Sequence, residues 1–324
     1  MNLNKAIKIK KNLKYALVLS GGGARALVHV GVLCALEEGG YPPPSLIAGT
    51  SMGAIVGGLY ASGISGTEIR RLMMEEADMA NFMESSAFKM EGRVGKILQT
   101  GQAIRHAATR SGVDPGEKVL RLLERLSKNI NIQDCKIPFL CNAVDLCAGQ
   151  EVIFRSGSLA GAIRASMSFP FVFEPVIEGG RCFVDGGVAD NLPVKSARKA
   201  AKEFGIKHIL AVDCRRWRSI PSDSLKTGLS VVMRCFDAMI HLMEAGEGET
   251  AGANLLIHAS DKTATFDFSR KAELMKLGEA AASESKDELD AFFSSGLKGA
   301  LSRRKNKSCG LKIEDYYKSG QVYN

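Results

Sequence analysis

The stretch SLIAGTSMGAIVGGLYA, residues 45–61, governs the reading of the whole chain. Its first five residues, 45–49, form a short apolar run of the kind that makes a buried strand. Its last ten, 52–61, are rich in Gly and Ala and read as a helix. Between them lies Gly49-Thr50-Ser51-Met52-Gly53, a G-x-S-x-G pattern at a strand-to-helix junction. A serine there must take a strained backbone conformation. Flanking glycines remove the side chains that would clash, so the hydroxyl projects outward. The helix that follows points its first N–H groups and the positive end of its dipole at the same spot. The pentapeptide alone also fits a plain tight turn. The strand before it and the helix after it are the context in which Ser51 becomes a candidate nucleophile.

One strand–helix unit upstream, YALVLS (15–20) runs into Gly21-Gly22-Gly23-Ala24-Arg25. Consecutive glycines expose backbone N–H groups on a concave loop, suited to a phosphate or to the oxyanion of a tetrahedral intermediate. No Gly-Lys-Ser/Thr follows, so the loop is not a Walker A motif, and the spacing of a dinucleotide fingerprint is missing. Neighbouring strands would bring this loop and the serine turn to one sheet edge, where α/β folds bind ligands. Downstream, RCFV (181–184) leads to Asp185-Gly186-Gly187. An Asp-Gly pair often marks only a turn. Beside a candidate nucleophile, Asp185 becomes a candidate general base.

Around these motifs, short apolar runs alternate with helical patterns. IPFLCNAVDL (137–146), EVIFR (151–155), HILAVDC (208–214) and NLLIHA (254–259) read as strands, and FEPVIEGGRCFVDGG (173–187) as a hairpin turning at Gly179-Gly180. Residues 65–128 read as helical, with Asp114 capping a helix that starts at Pro115. Further helices are expected over 27–38, 159–167, 194–204, 225–245 and 271–293. The alternation implies an α/β fold: three layers, α/β/α, around a mostly parallel central sheet. One domain is expected over 15–300, its motifs within 15–213 and a helical, lid-like region at about 65–130. Basic tails are expected at 1–14 and 301–324.

The chain has 324 residues and a formal net charge of +8, with lysines and arginines crowded at both ends. Basic ends suit an anionic membrane surface; they also suit simple solvation. No nucleic-acid motif accompanies them, so nucleic acid is excluded as a partner. Eight cysteines lie scattered with no CxxC pair, as for free thiols in a reducing compartment. The N-terminal lysines and YALVLS mimic the start of a leader, but the apolar run breaks at the glycines. No run approaches the roughly 18 apolar residues of a membrane-spanning helix. The expected location is cytoplasmic, with peripheral contact to a membrane. Five histidines and no clustered Cys/His/carboxylate set point to no metal and no cofactor.

GGGARA (21–26), GTSMG (49–53) and DGG (185–187), in this order, together with RASMSFPFVFEPV (164–176) and DGGVADNLPV (185–194), resemble the patatin-like phospholipase family in its bacterial form. The resemblance covers roughly residues 15–213. It implies an α/β fold with an elbow of the α/β-hydrolase type, and cleavage of acyl esters of phospholipids or related lipids. It makes Ser51 the nucleophile, Asp185 its base, and Gly21, Gly22 and Gly23 the oxyanion hole, with Arg25 in support. Ala26 departs from the family, where glycine is usual. Two alternatives stay open. A Ser51–Asp185–His triad, with His258 or His208 as third member, would follow α/β-hydrolase chain order. A non-catalytic or partner-activated lipid-binding protein could use the same fold. Met73, Met74, Met79, Met83 and Met90, with Phe82 and Phe88, would line an acyl pocket or lid, or simply pack helices.

Overall fold

A computed structural model describes residues 9–76, 112–215, 219–226, 228–245 and 252–310. In chain order these form β1 (Tyr15–Leu19), α1 (Val28–Glu38), β2 (Leu46–Gly49), α2 (Met52–Ser62), α3 (Gly66–Glu76) and β3 (Gly112–Asp114). There follow α4 (Glu117–Leu126), β4 (Phe139–Asp145), β5 (Gln150–Phe154), α5 (Leu159–Ser166), β6 (Phe171–Phe173), β7 (Val176–Glu178) and β8 (Arg181–Asp185). The chain continues through α6 (Val194–Glu203), β9 (His208–Asp213), α7 (Gly228–Ala245), β10 (Leu255–His258), α8 (Lys271–Glu284), α9 (Lys286–Phe293), α10 (Gly296–Ser302) and β11 (Lys307–Gly310).

The central sheet runs β11-β10-β9-β1-β2-β4-β8-β7, with β5 also paired to β4. From β11 to β4 every pairing is parallel; β5, β8 and β7 add antiparallel partners. Side chains alternate between the two faces, as a strand's period of two requires. Tyr15, Leu17 and Leu19 of β1, Ile47 of β2 and Leu210 and Val212 of β9 join the larger core with α1, α2, α8 and α9. Ala16, Val18, Ala48, Ile209 and Ala211 point the other way, against Val194, Ala197, Ala200 and Ala201 of α6. Both faces are covered, so the strands are apolar along their whole length. This is the three-layer α/β/α architecture with a mostly parallel sheet.

Three local expectations change. Asp114 ends the short strand β3, paired with β6, and its carboxylate accepts from Gly116 N–H (2.8 Å) in an Asx turn; the helix starts only at Glu117. The long helix over 271–293 divides at Ser285, whose hydroxyl bonds back to the Ala281 carbonyl (2.8 Å). Residues 307–310, counted with the basic C-terminal tail, form edge strand β11 on β10, and Arg303 is buried with its guanidinium on the Phe292 and Ser294 carbonyls. Of the methionine cluster, Met73 is buried in the core and Met74 is exposed; Met79, Met83, Met90, Phe82 and Phe88 lie outside the described residues.

β1 and β2 lie side by side with Leu19 opposite Gly49, so the glycine loop and the serine turn emerge together at their C-terminal ends. From β1 the chain moves toward β2, and from β9, on β1's other flank, toward β10. That divergence forms the crevice in which open α/β sheets bind ligands.

Candidate active site

The elbow is built by steric necessity. Ser51 sits at φ 55°, ψ −124°, a strained position for a side chain with a Cβ. A Cβ on Gly49 would lie 2.4 Å from the Gly53 carbonyl oxygen, and one on Gly53 would lie 2.5 Å from the carbonyl oxygens of both Leu19 and Ser20. Those positions admit only glycine, because the turn folds back on itself and α2 packs onto the end of β1.

The second carboxyl-bearing arm reaches the serine through β4. β2 runs parallel to β4, with Gly49 opposite Cys141; β8 runs antiparallel to it, with Asp185 opposite Ala143. The two C-terminal strand ends therefore finish two registers apart, roughly 7 Å along β4. Asn142, between those registers, ties the two arms. Its side-chain oxygen accepts from Thr50 Oγ1 (2.8 Å), and its amide donates to the Asp190 carbonyl (2.7 Å) and Glu151 Oε1 (2.9 Å). Gly186 makes that approach feasible: a Cβ there would lie 2.4 Å from Asn142 Oδ1 and 2.5 Å from the Asn142 carbonyl oxygen.

Ser51 lies beside the Asp185 carboxylate, near enough to favour its ionised form. Asp185 is buried, and Gly187 N–H donates to its Oδ1 (2.7 Å). Burial pushes the carboxyl up from 3.8 to about 6, against nearby Ser51 and the Gly187 hydrogen bond, which favour the ionised form. An acid in that range can accept a proton near neutrality far better than a solvated aspartate.

The segment RASMS, residues 164–168, holds both arms. Ser166 Oγ accepts from Ser51 N–H (3.0 Å), and the Ser168 carbonyl accepts from Asp185 N–H (3.0 Å). Arg164, itself buried, anchors the segment. Its guanidinium donates to Ser168 Oγ (2.5 Å) and to the carbonyls of Pro115 (2.7 Å), Glu174 (2.9 Å) and Gly116 (3.2 Å), and lies over the Phe173 ring. Desolvation lowers the Arg164 pKa. Neither Asn142 nor the Arg164 fan is readable from the sequence. The chain RASMSFPFVFEPV carried the family resemblance, but no spacing rule links it to Ser51.

The glycine loop differs from expectation at one position. Gly21 N–H donates to the Asn191 carbonyl (3.0 Å), so that donor is spent on holding the loop against residues 186–191. Gly22 and Gly23 N–H, and Met52 N–H at the head of α2, have no acceptor among the described residues. Met52 is a candidate donor that the sequence reading passed over, although position one after an elbow serine is the place to look. Arg25 clasps the loop, donating to Thr265 Oγ1 (3.3 Å) and the Gly22 carbonyl (3.5 Å). His29 sits buried beneath it, with Nε2 2.8 Å from the Ser20 carbonyl and its pKa pushed down to about 4 by burial.

Neither triad histidine reaches this group. His258 ends β10, three strands from β2 or about 14 Å away. Its nearest carboxylate is Asp213, with Nδ1 3.8 Å from Oδ2, and that carboxylate also takes a two-pronged bond from Arg215. His208 begins β9, at the opposite end of the strands. Among the described residues no group of three or more His, Cys, Asp or Glu could hold a metal ion, and no helix is long and apolar enough to cross a membrane.

A family model described as patatin-like phospholipase matches residues 17–198, and the chain belongs to that family. It is similar to the lysophospholipase NTE1 of Candida albicans, 28% identical over 295 residues, 84% of this chain and 20% of that protein. The lysophospholipase NTE1 of Mycosarcoma maydis is 31% identical over 201 residues, 62% of this chain and 10% of that one. An uncharacterized NTE family protein of Mycobacterium tuberculosis is 35% identical over 181 residues, 56% of this chain and 44% of that one. The chain thus spans between a tenth and less than half of these relatives' lengths. Among solved structures, VipD from Legionella pneumophila aligns at TM-score 0.44 and 14% identity over 82% of this chain and 67% of that chain.

Proposed function

We propose that this chain is a serine acyl hydrolase of lipid esters that works through a Ser51–Asp185 dyad and a covalent acyl-enzyme. The observation that carries the reading is the placement of the strained Ser51 beside the buried Asp185 carboxylate, next to unspent backbone N–H groups. Membership of the patatin-like phospholipase family supports the reaction class.

Ser51 Oγ attacks the ester carbonyl while Asp185 takes the hydroxyl proton. The oxyanion forms against the N–H groups of Gly22, Gly23 and Met52. Each such donor lowers the barrier by roughly 3–4 kcal/mol in other hydrolases. Collapse of the intermediate breaks the ester C–O bond, and Asp185 returns the proton to the leaving alcohol. Water then attacks the acyl-Ser51 ester with Asp185 as base, releasing the fatty acid and restoring the hydroxyl. Arg25 fixes the loop that presents the donors. The substrate is a phospholipid or lysophospholipid, the latter class suggested by the names of the NTE1 relatives. Eight free cysteines support a reducing, cytoplasmic setting.

Hydrolysis of a soluble short-chain ester and of a phospholipid and lysophospholipid panel tests the reading. Wild type is compared with Ser51→Ala, Asp185→Asn and His258→Ala. The dyad requires the first two to be inactive and the third to keep near-normal turnover. An inactive but folded His258→Ala would establish a triad. A wild type inert to every ester and to a fluorophosphonate would replace the enzyme with a partner-activated or purely lipid-binding protein.

A further inference from the structure

A buried thiol lies directly beneath the glycine loop. Cys214 follows β9 and is fully buried. It stands beside the loop because β9 and β1 run parallel, with Val212 opposite Leu19. Three hydrogen bonds close a ring between the two chain segments there. Cys214 N–H donates to Ser20 Oγ (3.0 Å), the Ser20 hydroxyl donates to Cys214 Sγ (3.3 Å), and the thiol donates to the Gly21 carbonyl (3.2 Å). Packing holds the sulfur against the loop: a Cβ at Gly22 would lie 2.5 Å from it. Burial pushes the thiol up from 9.0 to about 11, so it keeps the proton it donates.

The Gly21 carbonyl and the Gly22 N–H belong to one peptide unit. That unit is planar and trans, so the two groups point in opposite directions. A bond that draws the carbonyl toward Cys214 turns the N–H to the other side of the loop. Glycine on both sides removes the Cβ contacts that would otherwise choose the orientation. In the next unit Arg25 draws on the Gly22 carbonyl (3.5 Å), so Gly23 N–H faces away from that contact. The unit before is held at both ends, with the Ser20 carbonyl on His29 Nε2 (2.8 Å) and Gly21 N–H on the Asn191 carbonyl (3.0 Å). Gly22 N–H meets no acceptor among the described residues, and the Cys214 thiol sets its direction.

We propose that Cys214 is a positioning residue for ester hydrolysis, its thiol holding the Gly21–Gly22 peptide so that Gly22 N–H meets the oxyanion formed when Ser51 attacks. The proposal rests on the lipid-hydrolase reading. Cys214→Ala deletes the donor, and Cys214→Ser replaces it with a hydroxyl of similar size. For a soluble ester, Cys214→Ala should lower kcat roughly tenfold or more with little change in KM, because the held N–H acts on the transition state. Cys214→Ser should recover most of that loss. A trifluoromethyl ketone, which forms an oxyanion on Ser51, should bind Cys214→Ala more weakly by the same factor as kcat/KM falls. Cys34→Ala, at a likewise buried thiol in α1, should lose stability and keep its kcat. If Cys214→Ala melts too low to assay, Ser20→Ala removes the hydroxyl that orients the thiol, and should lower kcat and ketone affinity together. Unchanged kcat in folded Cys214→Ala, a loss that Cys214→Ser shares in full, an equal loss in Cys34→Ala, or an unmoved ketone affinity overturns the proposal and leaves Cys214 a packing residue. Wild type that turns over no ester sinks the hydrolase reading and the positioning role with it. Active wild type with an indifferent Cys214→Ala sinks the positioning role alone.

Discussion

Gly49 and Asp185 approach each other head to head along β4, one ending a strand parallel to it and the other a strand antiparallel to it. The serine and the aspartate are thus brought together by strand register, with Asn142 as the fastener. Charge, strain and close packing at that junction each make a measurable demand.

The rate should depend on one ionisation. Asp185 must be a carboxylate to take the Ser51 proton, and its pKa lies at about 6. We expect kcat/KM for a soluble ester to be level above neutrality and to fall about tenfold per pH unit below 6. A profile still level at pH 5 would remove Asp185 as the base.

The same burial costs stability. The folded pKa of about 6 lies above the ordinary 3.8, so between these values the folded protein keeps a proton that the unfolded chain has lost. Stability therefore falls as pH rises through that window, by about 3 kcal/mol in total. Asp185→Asn, which keeps an acceptor for Gly187 N–H, should melt several degrees above wild type at pH 8. The gap should close toward pH 4. Equal melting at pH 8 contradicts a desolvated carboxylate.

The elbow should reveal its strain by substitution. Ser51→Gly removes the Cβ from a φ of 55° and should be more stable than Ser51→Ala by about 1 kcal/mol, although both are inactive. Gly53→Ala, with no space between the Leu19 and Ser20 carbonyls, should cost about 3 kcal/mol or prevent folding. Denaturant midpoints of the set read both effects. A stable Gly53→Ala would refute the packing.

Arg164 is a positioning residue. Lysine cannot reproduce its planar fan of donors, so Arg164→Lys should strand the carbonyls of Pro115, Gly116 and Glu174 and loosen the Ser168 carbonyl that aligns Asp185. We expect kcat to fall roughly tenfold or more with little change in KM. Stability should fall by about 2–4 kcal/mol. A stability loss with kcat intact would reduce Arg164 to a core fastener.

The strands and the elbow were legible because buried parallel strands are apolar throughout and because G-x-S-x-G states a steric requirement in three letters. Asp185 was legible only beside the elbow and the glycine loop, and more firmly through the family resemblance, since an Asp-Gly pair looks the same in any hairpin. Asn142, Ser166 and Arg164 were silent because their roles depend on which strands adjoin, and register is a long-range property. Gly21 misled for the same reason. Three glycines in a row offer three N–H groups, and only the packed Asn191 carbonyl decides that one is already used.

The hairpin between β4 and β5 turns at exposed Gly149, where an added Cβ would meet nothing within 4 Å. A break in the backbone there would leave Ser51, Asn142 and β4 on one fragment and Asp185 on the other. Two inert pieces would regain ester turnover only when β8 zips onto β4. Catalysis would then count reassembled sheets, one productive encounter at a time.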